Sequence, residues 1–258
     1  MPQRNTVLIF GLVGIPHTRC GISNTYKLQS EGGIITLEFT KIQQPQSFRD
    51  HAYDEIKNAI INHVIAQGDV LYERDLSEKL GISRTPLRAA LQLLEMEGWL
   101  KSVPRKGVFV SHIVEKDVEE VLQLRGANEA LVVELLIPKI TDAHIERLEE
   151  IFVQQERHTG NNQSFILMDK DFHMHMAELT GNDRLIQLMH TLSDQMRWFG
   201  IVALDTTDRV ERTLKEHRAI IDQLKKRDVE LAKQAMHEHI IHTRTAVLAS
   251  LKSKKETD

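Results

Sequence analysis

The stretch Glu73–Gly98, ERDLSEKLGISRTPLRAALQLLEMEG, decides how the first half of the chain folds. Leu76 and Leu80 give a short helix one apolar stripe, and the segment 81–83 (Gly-Ile-Ser) interrupts it. A second apolar stripe follows at helical spacing and runs through Leu87, Ala90, Leu91 and Leu94. Two helices joined by a short turn that contains Gly form the helix-turn-helix pattern, which this stretch therefore predicts.

Polar residues gather at the predicted start of the second helix. Ser83 is placed to cap it, and because Pro86 has no N–H, we expect the cap to accept a hydrogen bond from the N–H of Thr85. Arg84, Thr85 and Arg88 then lie near the positive end of the helix dipole. A DNA-reading helix needs its phosphate and base contacts at this end.

Two short strands are predicted after this helix, over 99–103 and 108–110, around the turn Pro104-Arg105-Lys106-Gly107. The resulting hairpin carries two cations at its tip, as a wing beside a recognition helix would. A small helical domain with an unrelated surface hairpin is the alternative. The combination of hairpin and helix-turn-helix favours DNA binding.

The run ERDLSEKLGISRTPLRAALQLLEMEGWLKSVPRKGVFV resembles the winged helix-turn-helix of GntR-type bacterial transcription regulators, over roughly Phe48 to His112. One position departs from the usual family pattern, because Ala89 stands where the family has Glu in Arg-Glu-Ala-Leu. The cationic and capping positions remain. By resemblance, the residues expected to face DNA are Arg74, Ser83, Arg84, Thr85, Arg88, Arg105, Lys106 and Gly107.

Length, composition and charge narrow the class of protein. The 258 residues have room for about two domains, and 41% hydrophobic with 27% charged residues is ordinary for a globular protein. The net charge of -4 argues against indiscriminate polyanion binding, but five cations and two anions fall between Arg84 and Val110. A single cysteine, Cys20, excludes an intrachain disulfide framework and suits a reducing cytoplasm.

The chain divides into three segments: an extension over 1–43, a winged helix-turn-helix domain over 44–113, and an all-helical domain over 114–258. We expect the extension to be poorly ordered. Its apolar run is too short to span a bilayer and lacks a signal-peptide cleavage site, so no membrane association is expected. Because one predicted domain is a winged helix-turn-helix and the other is all-helical, the predicted fold class is mainly α.

Helical periodicity predicts a first helix over 48–65 and five or six helices in the third segment, with approximate spans 114–136, 141–156, 163–179, 182–204, 209–226 and 228–251. Short connections place successive helices antiparallel, so the third segment is predicted to form an antiparallel bundle.

Helix geometry predicts a metal site in this bundle. Asp169 and His173 are spaced i, i+4 and share one helix face. His217 and His239 each lie eleven positions from Asp228, on two helices that meet there. In an antiparallel hairpin they sit at the same height, roughly 16 Å from the turn at 1.5 Å rise per residue.

Three imidazoles and one carboxylate suit Zn, Ni, Mn or Fe, with Zn as the first choice, and would leave coordination positions open. The alternative is that these are hydrogen-bonded bundle histidines with no metal. His242, three residues after His239 on the same helix, is a possible substitute ligand.

The runs MDKDFHMHMAELTGN (168–182) and EHRAIIDQLKKRDVELAKQAMHEHI (216–240) resemble the FCD effector domain of the FadR-like branch of GntR regulators. In metal-binding members, an Asp, a His four residues later and two further His hold a divalent metal, which by resemblance assigns Asp169, His173, His217 and His239. The resemblance also implies a pocket for a small carboxylate effector, with Arg125 and Arg197 as its cations. Either arginine could instead be a surface or helix-pairing residue.

The leading hypothesis is a cytoplasmic, ligand-responsive transcription regulator, not an enzyme. A homodimer would bind a palindromic double-stranded DNA operator, because two recognition helices must meet successive major grooves. A small organic acid at the metal-containing pocket would modulate its DNA affinity. The alternatives are a helical-bundle metalloenzyme and a regulator whose metal is purely structural.

Overall fold

A computed structural model of the protein describes residues 26–31, 34–39, 47–204 and 208–255. This part of the chain is mainly helical, with a small three-stranded sheet in the N-terminal domain (residues 47–113) and a helical C-terminal domain (residues 114–255). The predicted fold class is confirmed.

Two strands lie within the segment 1–43. Strands β1 (Tyr26–Glu31) and β2 (Ile34–Phe39) pair antiparallel, with Tyr26 opposite Phe39 and Glu31 opposite Ile34. The rest of this segment, including Cys20 and the apolar run, lies outside the described residues. The expectation that the extension is poorly ordered therefore stays a prediction.

The N-terminal domain has the predicted winged helix-turn-helix arrangement. Its elements are α1 (Phe48–Ile61), β3 (Val70–Leu71), α2 (Glu73–Leu80), α3 (Arg84–Met96), β4 (Leu100–Val103) and β5 (Gly107–Val110). Strand β5 is central and pairs antiparallel with β3 and β4. Ile60, Leu87 and Leu94 are fully buried, so the apolar stripes of α1 and α3 form the core as their spacing predicts.

Two local expectations in this domain are wrong. Helix α1 ends at Ile61 rather than residue 65, because His63 adopts a left-handed conformation (φ 55°) that no α-helix can continue. Ser83 occupies the N-cap position of α3, but its hydroxyl accepts no hydrogen bond from the helix, so the expected bond from Thr85 is not made. Ser83 and Thr85 are both exposed, so water can satisfy the N–H groups of the first turn of α3.

The C-terminal domain consists of α4 (Glu115–Leu136), α5 (Asp142–Arg157), α6 (Asn162–Leu179), α7 (Asp183–Ala203), α8 (Arg209–Lys226) and α9 (Val229–Lys255). Side chains of Thr141, Asn161 and Asn182 cap α5, α6 and α7 by accepting a backbone N–H from the first turn. These caps fix short turns, and each helix turns its apolar stripe to a shared core.

The α8–α9 hairpin brings two distant histidines together. Arg227 takes a left-handed conformation (φ 55°) and ends α8, and the carboxylate of Asp228 accepts the N–H of Leu231 at the start of α9. His217 and His239, eleven residues on either side of Asp228, have ring centroids 4.9 Å apart. The equal spacing from the turn therefore predicts their height correctly.

The two domains are in contact. Helix α1 and the residues after α3 meet α7, where the rings of Trp99 and Trp198 lie 5.2 Å apart and both are buried. Within the described ranges, none of the helices combines the length and apolar content that crossing a bilayer requires.

Candidate metal site and nucleic-acid interface

Four side chains from three helices converge inside the C-terminal domain. Asp169 and His173 project from α6, His217 from α8 and His239 from α9, and one ligand atom from each lies within 4.8 Å of the others. The three histidines are at most 3% exposed, whereas Asp169 is partly exposed. The four residues predicted as metal ligands thus lie together as one cluster.

Each histidine ring of the cluster has an oxygen close to its Nδ1 atom. The contacts are His173 Nδ1 to Glu129 Oε1 at 2.7 Å, His217 Nδ1 to Gln155 Oε1 at 2.7 Å, and His239 Nδ1 to Glu216 Oε2 at 2.8 Å. For His217 and His239 this contact is a hydrogen bond, so Nε2 is the atom left for a ligand. His173 Nδ1 lies within ion-pair distance of Glu129 but, among the described residues, makes no hydrogen bond. Histidines that bind metals usually donate their other N–H to a carboxylate or carbonyl, which fixes the ring and its tautomer.

The electrostatics favour the neutral, metal-binding form of two of these rings, His217 and His239. Burial, together with the neighbouring His239 and His173, lowers the pKa of His217 well below 6.5, so its ring is neutral at pH 7. Burial likewise lowers the pKa of His239. Burial raises the pKa of the Glu216 carboxyl group, but the hydrogen bond from His239 and the charge of Arg209 outweigh this effect and lower its pKa to about 2.

The residues present fit a divalent metal. His217 Nε2 is buried and, within the described chain, makes no hydrogen bond, although Asp169 Oδ1 is 3.4 Å away. A buried nitrogen without a partner is costly, and a metal ion would satisfy it. Three imidazole nitrogens and one carboxylate oxygen form a donor set that suits Zn and its first-row neighbours.

The cluster opens onto a cavity of about 30 Å³. Side chains of α4, α6, α7, α8 and α9 line it, and they include Asp169, His173, His239, Met196, Thr243 and two arginines, Arg125 and Arg209. This volume accommodates roughly two or three water-sized atoms, about the size of a carboxylate group.

The two arginines of the cavity are held by carboxylates behind them. Arg125 is 3% exposed and donates from Nε to Glu129 Oε1 at 2.7 Å and from Nη1 to Ser193 Oγ at 3.0 Å. Arg209 donates from Nη1 to both oxygens of Glu216 and from Nη2 to Thr243 Oγ1 at 2.8 Å. Each guanidinium is therefore fixed, with donor capacity remaining toward the cavity.

Arg197, the second predicted effector ligand, is not among the residues that line this cavity. Its Nη2 donates to Asn62 Oδ1 at 3.2 Å, at the boundary between the domains. His242 is outside the ligand cluster as well, since its ring is half exposed and its Nδ1 lies 2.9 Å from Glu216 Oε1.

Sequence reasoning missed four residues of this site: Glu129, Gln155, Arg209 and Glu216. Glu129 follows Arg125 by four residues, so helical spacing could have suggested that pair. Glu216 follows Arg209 by seven residues, which places both on one helix face two turns apart but does not by itself predict contact. Gln155 carries no comparable signal, because it is uncharged and no Asp, Glu, Lys or Arg lies three or four residues away on the same helix face.

The residues expected to face DNA are all exposed, namely Arg74, Ser83, Arg84, Thr85, Arg88, Arg105, Lys106 and Gly107. Arg88 Nε donates to Glu73 Oε2 at 2.8 Å, which ties the two helices of the motif together. Arg84 and Thr85 open α3, where helix N–H groups point outward. The surface can therefore present cations and N–H donors to phosphates.

The wing turn depends on two left-handed residues. Arg105 has φ 65° and Gly107 has φ 122°, and the N–H of Lys106 donates to the carbonyl of Val103. Strands β4 and β5 extend this tip beside α3. Arg105 and Lys106 therefore lie at the tip of the hairpin, as predicted.

Comparison with known proteins matches both halves of the chain. Residues 48–110 match the family described as "Bacterial regulatory proteins, gntR family", and residues 120–242 match the FCD domain. A Bacillus subtilis protein described as an uncharacterized HTH-type transcriptional regulator, YdhC, is 30% identical over 205 residues, which are 78% of this chain and 92% of the relative.

Two further likenesses extend over most of the chain. The Uxu operon regulator of Haemophilus influenzae is 29% identical over 84% of each chain. A solved GntR-type regulator from Rhodococcus sp. RHA1 aligns with a TM-score of 0.70 and 23% identity, over 79% of this chain and 99% of the other. The solved structure supports the fold alone.

Proposed function

The chain belongs to the GntR family of bacterial transcription regulators and carries an FCD effector-binding domain, and from this premise we propose how it works. As a homodimer it binds a palindromic operator through residues 44–113. A small carboxylate then binds a metal-containing pocket in residues 114–258, which also dimerises, and changes the affinity for DNA. The matched family and the relatives are transcription regulators rather than enzymes, so the metalloenzyme alternative is set aside.

The exposed start of α3 supports operator reading. Arg84, Thr85 and Arg88 would contact phosphates and base edges in the major groove, and the wing tip at Arg105 and Lys106 would contact the flanking backbone. The pair between Arg88 and Glu73 holds one guanidinium in place before DNA arrives. A two-fold operator then follows from two such helices in a dimer.

An exposed apolar surface supports the homodimer. Leu124 and Leu131, seven residues apart on one face of α4, are 54% and 39% exposed. Leu188, on the neighbouring α7, is 42% exposed. Apolar side chains at helical spacing in a charged protein favour a covered face, and a second copy of this chain is the partner that a two-fold operator requires.

The ligand cluster beside a cationic cavity carries the effector proposal. Asp169, His173, His217 and His239 would hold the metal, with Zn as the first choice, and the bound metal would supply an open coordination position for a carboxylate oxygen. Arg125 and Arg209 would donate to the same carboxylate or to a second polar group of the acid. Arg209 replaces Arg197 in this role, because Arg197 lies at the domain boundary.

The proposed control is a shift between two arrangements of the same protein. A carboxylate in the cavity can alter DNA affinity only as far as it binds one arrangement better than the other. The cavity in this structure is small, about 30 Å³, so an acid with more than a carboxylate head would favour an arrangement in which the lining helices stand further apart.

A thermal-shift screen of small organic acids tests the proposal, on metal-loaded protein and on protein stripped by chelation. We expect a subset of acids to raise the Tm of the loaded protein only, and those acids to change affinity for an operator isolated by selection from random DNA. Arg209→Lys should weaken the response to these acids, and Arg147→Lys, at an exposed site on α5, should not.

The small cavity also favours a second candidate, in which the metal is purely structural. Chelation would then lower the Tm, while no acid would change either the Tm or the DNA affinity of the loaded protein. That result would exclude the effector role and leave the regulator assignment intact.

A further inference from the structure

Helix α7 carries two functional faces. Toward the interior, Met196, Gly200 and Ala203 line the cavity, and Ser193 accepts a hydrogen bond from Arg125. Toward the N-terminal domain the same helix presents a different set of residues, Asp194, Arg197 and Trp198. One rigid element therefore touches both the proposed effector site and the DNA-reading domain.

An ion pair crosses this boundary between Lys57 of α1 and Asp194 of α7. Lys57 Nζ lies 3.0 Å from Asp194 Oδ2, and their side chains are only 14% and 22% exposed. The same ammonium contacts Glu97 Oε2 at 3.3 Å and donates to Tyr53 Oη at 2.9 Å. Glu97 directly follows the DNA-reading helix α3, so Lys57 joins α7 to the end of that helix.

Apolar and backbone contacts reinforce this boundary. The chain has two tryptophans, Trp99 and Trp198, and they pack on each other there with ring centroids 5.2 Å apart. His63 Nε2 lies 3.1 Å from the Trp198 carbonyl oxygen, which accounts for the left-handed end of α1. Asn62 receives a hydrogen bond from Arg197 at 3.2 Å.

The boundary is also connected to the metal cluster through α6. Lys170, the residue after the cluster carboxylate Asp169, contacts the other oxygen of Asp194 at 3.1 Å. Asp194 thus stands between one lysine beside the cluster and another in the DNA-reading domain. The helices α6 and α7 also interlock at Gly200, where the absent side chain leaves room for Ile166, since a Cβ there would lie 2.6 Å from Ile166 Cδ1. A shift of α6 must therefore move α7 or break these contacts.

We propose that the Lys170–Asp194–Lys57 relay, with the Trp99–Trp198 pair beside it, transmits the state of the metal cluster to the DNA-reading helices. Drawing Asp169 and His173 toward α8 and α9 displaces α6, and Asp194 passes the displacement to α1 and to the end of α3. The proposal rests on the proposed function, in which the cluster and cavity control DNA affinity.

Intrinsic tryptophan fluorescence reports this boundary directly, because both tryptophans lie in it. Metal-free full-length protein is titrated with Zn²⁺ alone, and emission is recorded beside calorimetric Zn²⁺ affinity. The variants are Asp194→Asn and Lys57→Met. Lys57→Met leaves Asp194 paired with Lys170, and Asp194→Asn leaves Lys57 paired with Glu97. In Asp194→Asn, Lys170 loses its carboxylate, but its side chain is 22% exposed and keeps contact with solvent. Asp142→Asn breaks the pair between Asp142 and Arg227 within the C-terminal domain and is the matched control.

We expect Zn²⁺ to change the emission of the wild type and of Asp142→Asn equally. In Asp194→Asn and Lys57→Met the change should fall to half or less, while Zn²⁺ affinity stays within about threefold of the wild type. Full emission changes in both variants overturn the relay. Wild-type emission that does not change on addition of Zn²⁺ also overturns the relay. If calorimetry then shows that Zn²⁺ binds, the metal site stands; if calorimetry shows no binding, the metal site is overturned as well. An acid screen that fails while the emission results hold overturns only the effector proposal.

Discussion

Replacing Gln155 with Leu tests whether the contacts behind the histidines matter for metal binding. Gln155 Oε1 lies 2.7 Å from His217 Nδ1 and is the partner that orients this ring. Leu is close to Gln in volume, so the change removes the acceptor and little else. Loss of such a supporting contact typically costs tenfold to hundredfold in metal affinity, or about 1.4–2.8 kcal/mol.

The metal-free fold should tolerate this change, because two terms oppose each other. The Nδ1–H of His217 loses its acceptor, which costs about 1–3 kcal/mol for a buried group. Gln155 Nε2, however, is itself buried without a partner among the described residues, and Leu removes it with a gain of similar size. We therefore expect the Tm of the metal-free variant to stay within roughly 4 °C of the wild type.

The assay is competition of the protein with a chromophoric chelator for Zn²⁺, with Gln155→Leu, Gln155→Glu and Gln154→Leu measured together. Glu at this position supplies an acceptor like Glu129 and Glu216, so it should retain wild-type affinity or exceed it. Gln154 is exposed on the same helix and controls for the chemical change. A Zn²⁺ Kd for Gln155→Leu within twofold of the wild type would refute the reasoning.

Three further changes have defined outcomes. Arg84→Ala or Arg88→Ala should each cost about 1–3 kcal/mol of operator binding in a fluorescence anisotropy titration, and unchanged affinity would mean that α3 does not read the operator. His217→Ala should remove metal from the purified protein by elemental analysis while the N-terminal domain remains folded, and full metal occupancy would show that the ligands are others. Arg125→Met leaves Glu129 as a buried charge that has lost its cation, so denaturant unfolding should show a loss of about 3–5 kcal/mol, and a loss under 1 kcal/mol would contradict the buried pair.

Regular periodicity explains why so much of the metal cluster was predictable. The i, i+4 spacing of Asp169 and His173, and the equal distance of His217 and His239 from Asp228, follow from helix rise and from a tight turn. Neither depends on how distant helices pack. The α8–α9 hairpin forms as its sequence indicates and brings His217 and His239 together. The approach of α6, which adds Asp169 and His173 to the cluster, depends instead on packing between helices.

Contacts between distant segments were not predictable in the same way. Arg197 and Arg209 offer the same chemistry in the sequence, and only packing turns one toward Asn62 and the other into the cavity. The early end of α1 has a similar cause, since the contact between His63 and the Trp198 carbonyl joins residues 135 positions apart. Local patterns carry no information about such pairs.

The absence of a side chain at Gly200 limits how this protein can vary. A methyl group there would press on Ile166 Cδ1, and Ile166 lines the cavity. The least costly way to accommodate the methyl group is rotation of the Ile166 side chain into the cavity, because separating α6 from α7 would disturb the whole core. Exchange of this glycine would therefore reduce the volume of the cavity before it unfolded the domain. Under the proposed function, relatives with larger residues at the equivalent position should select acids of smaller size.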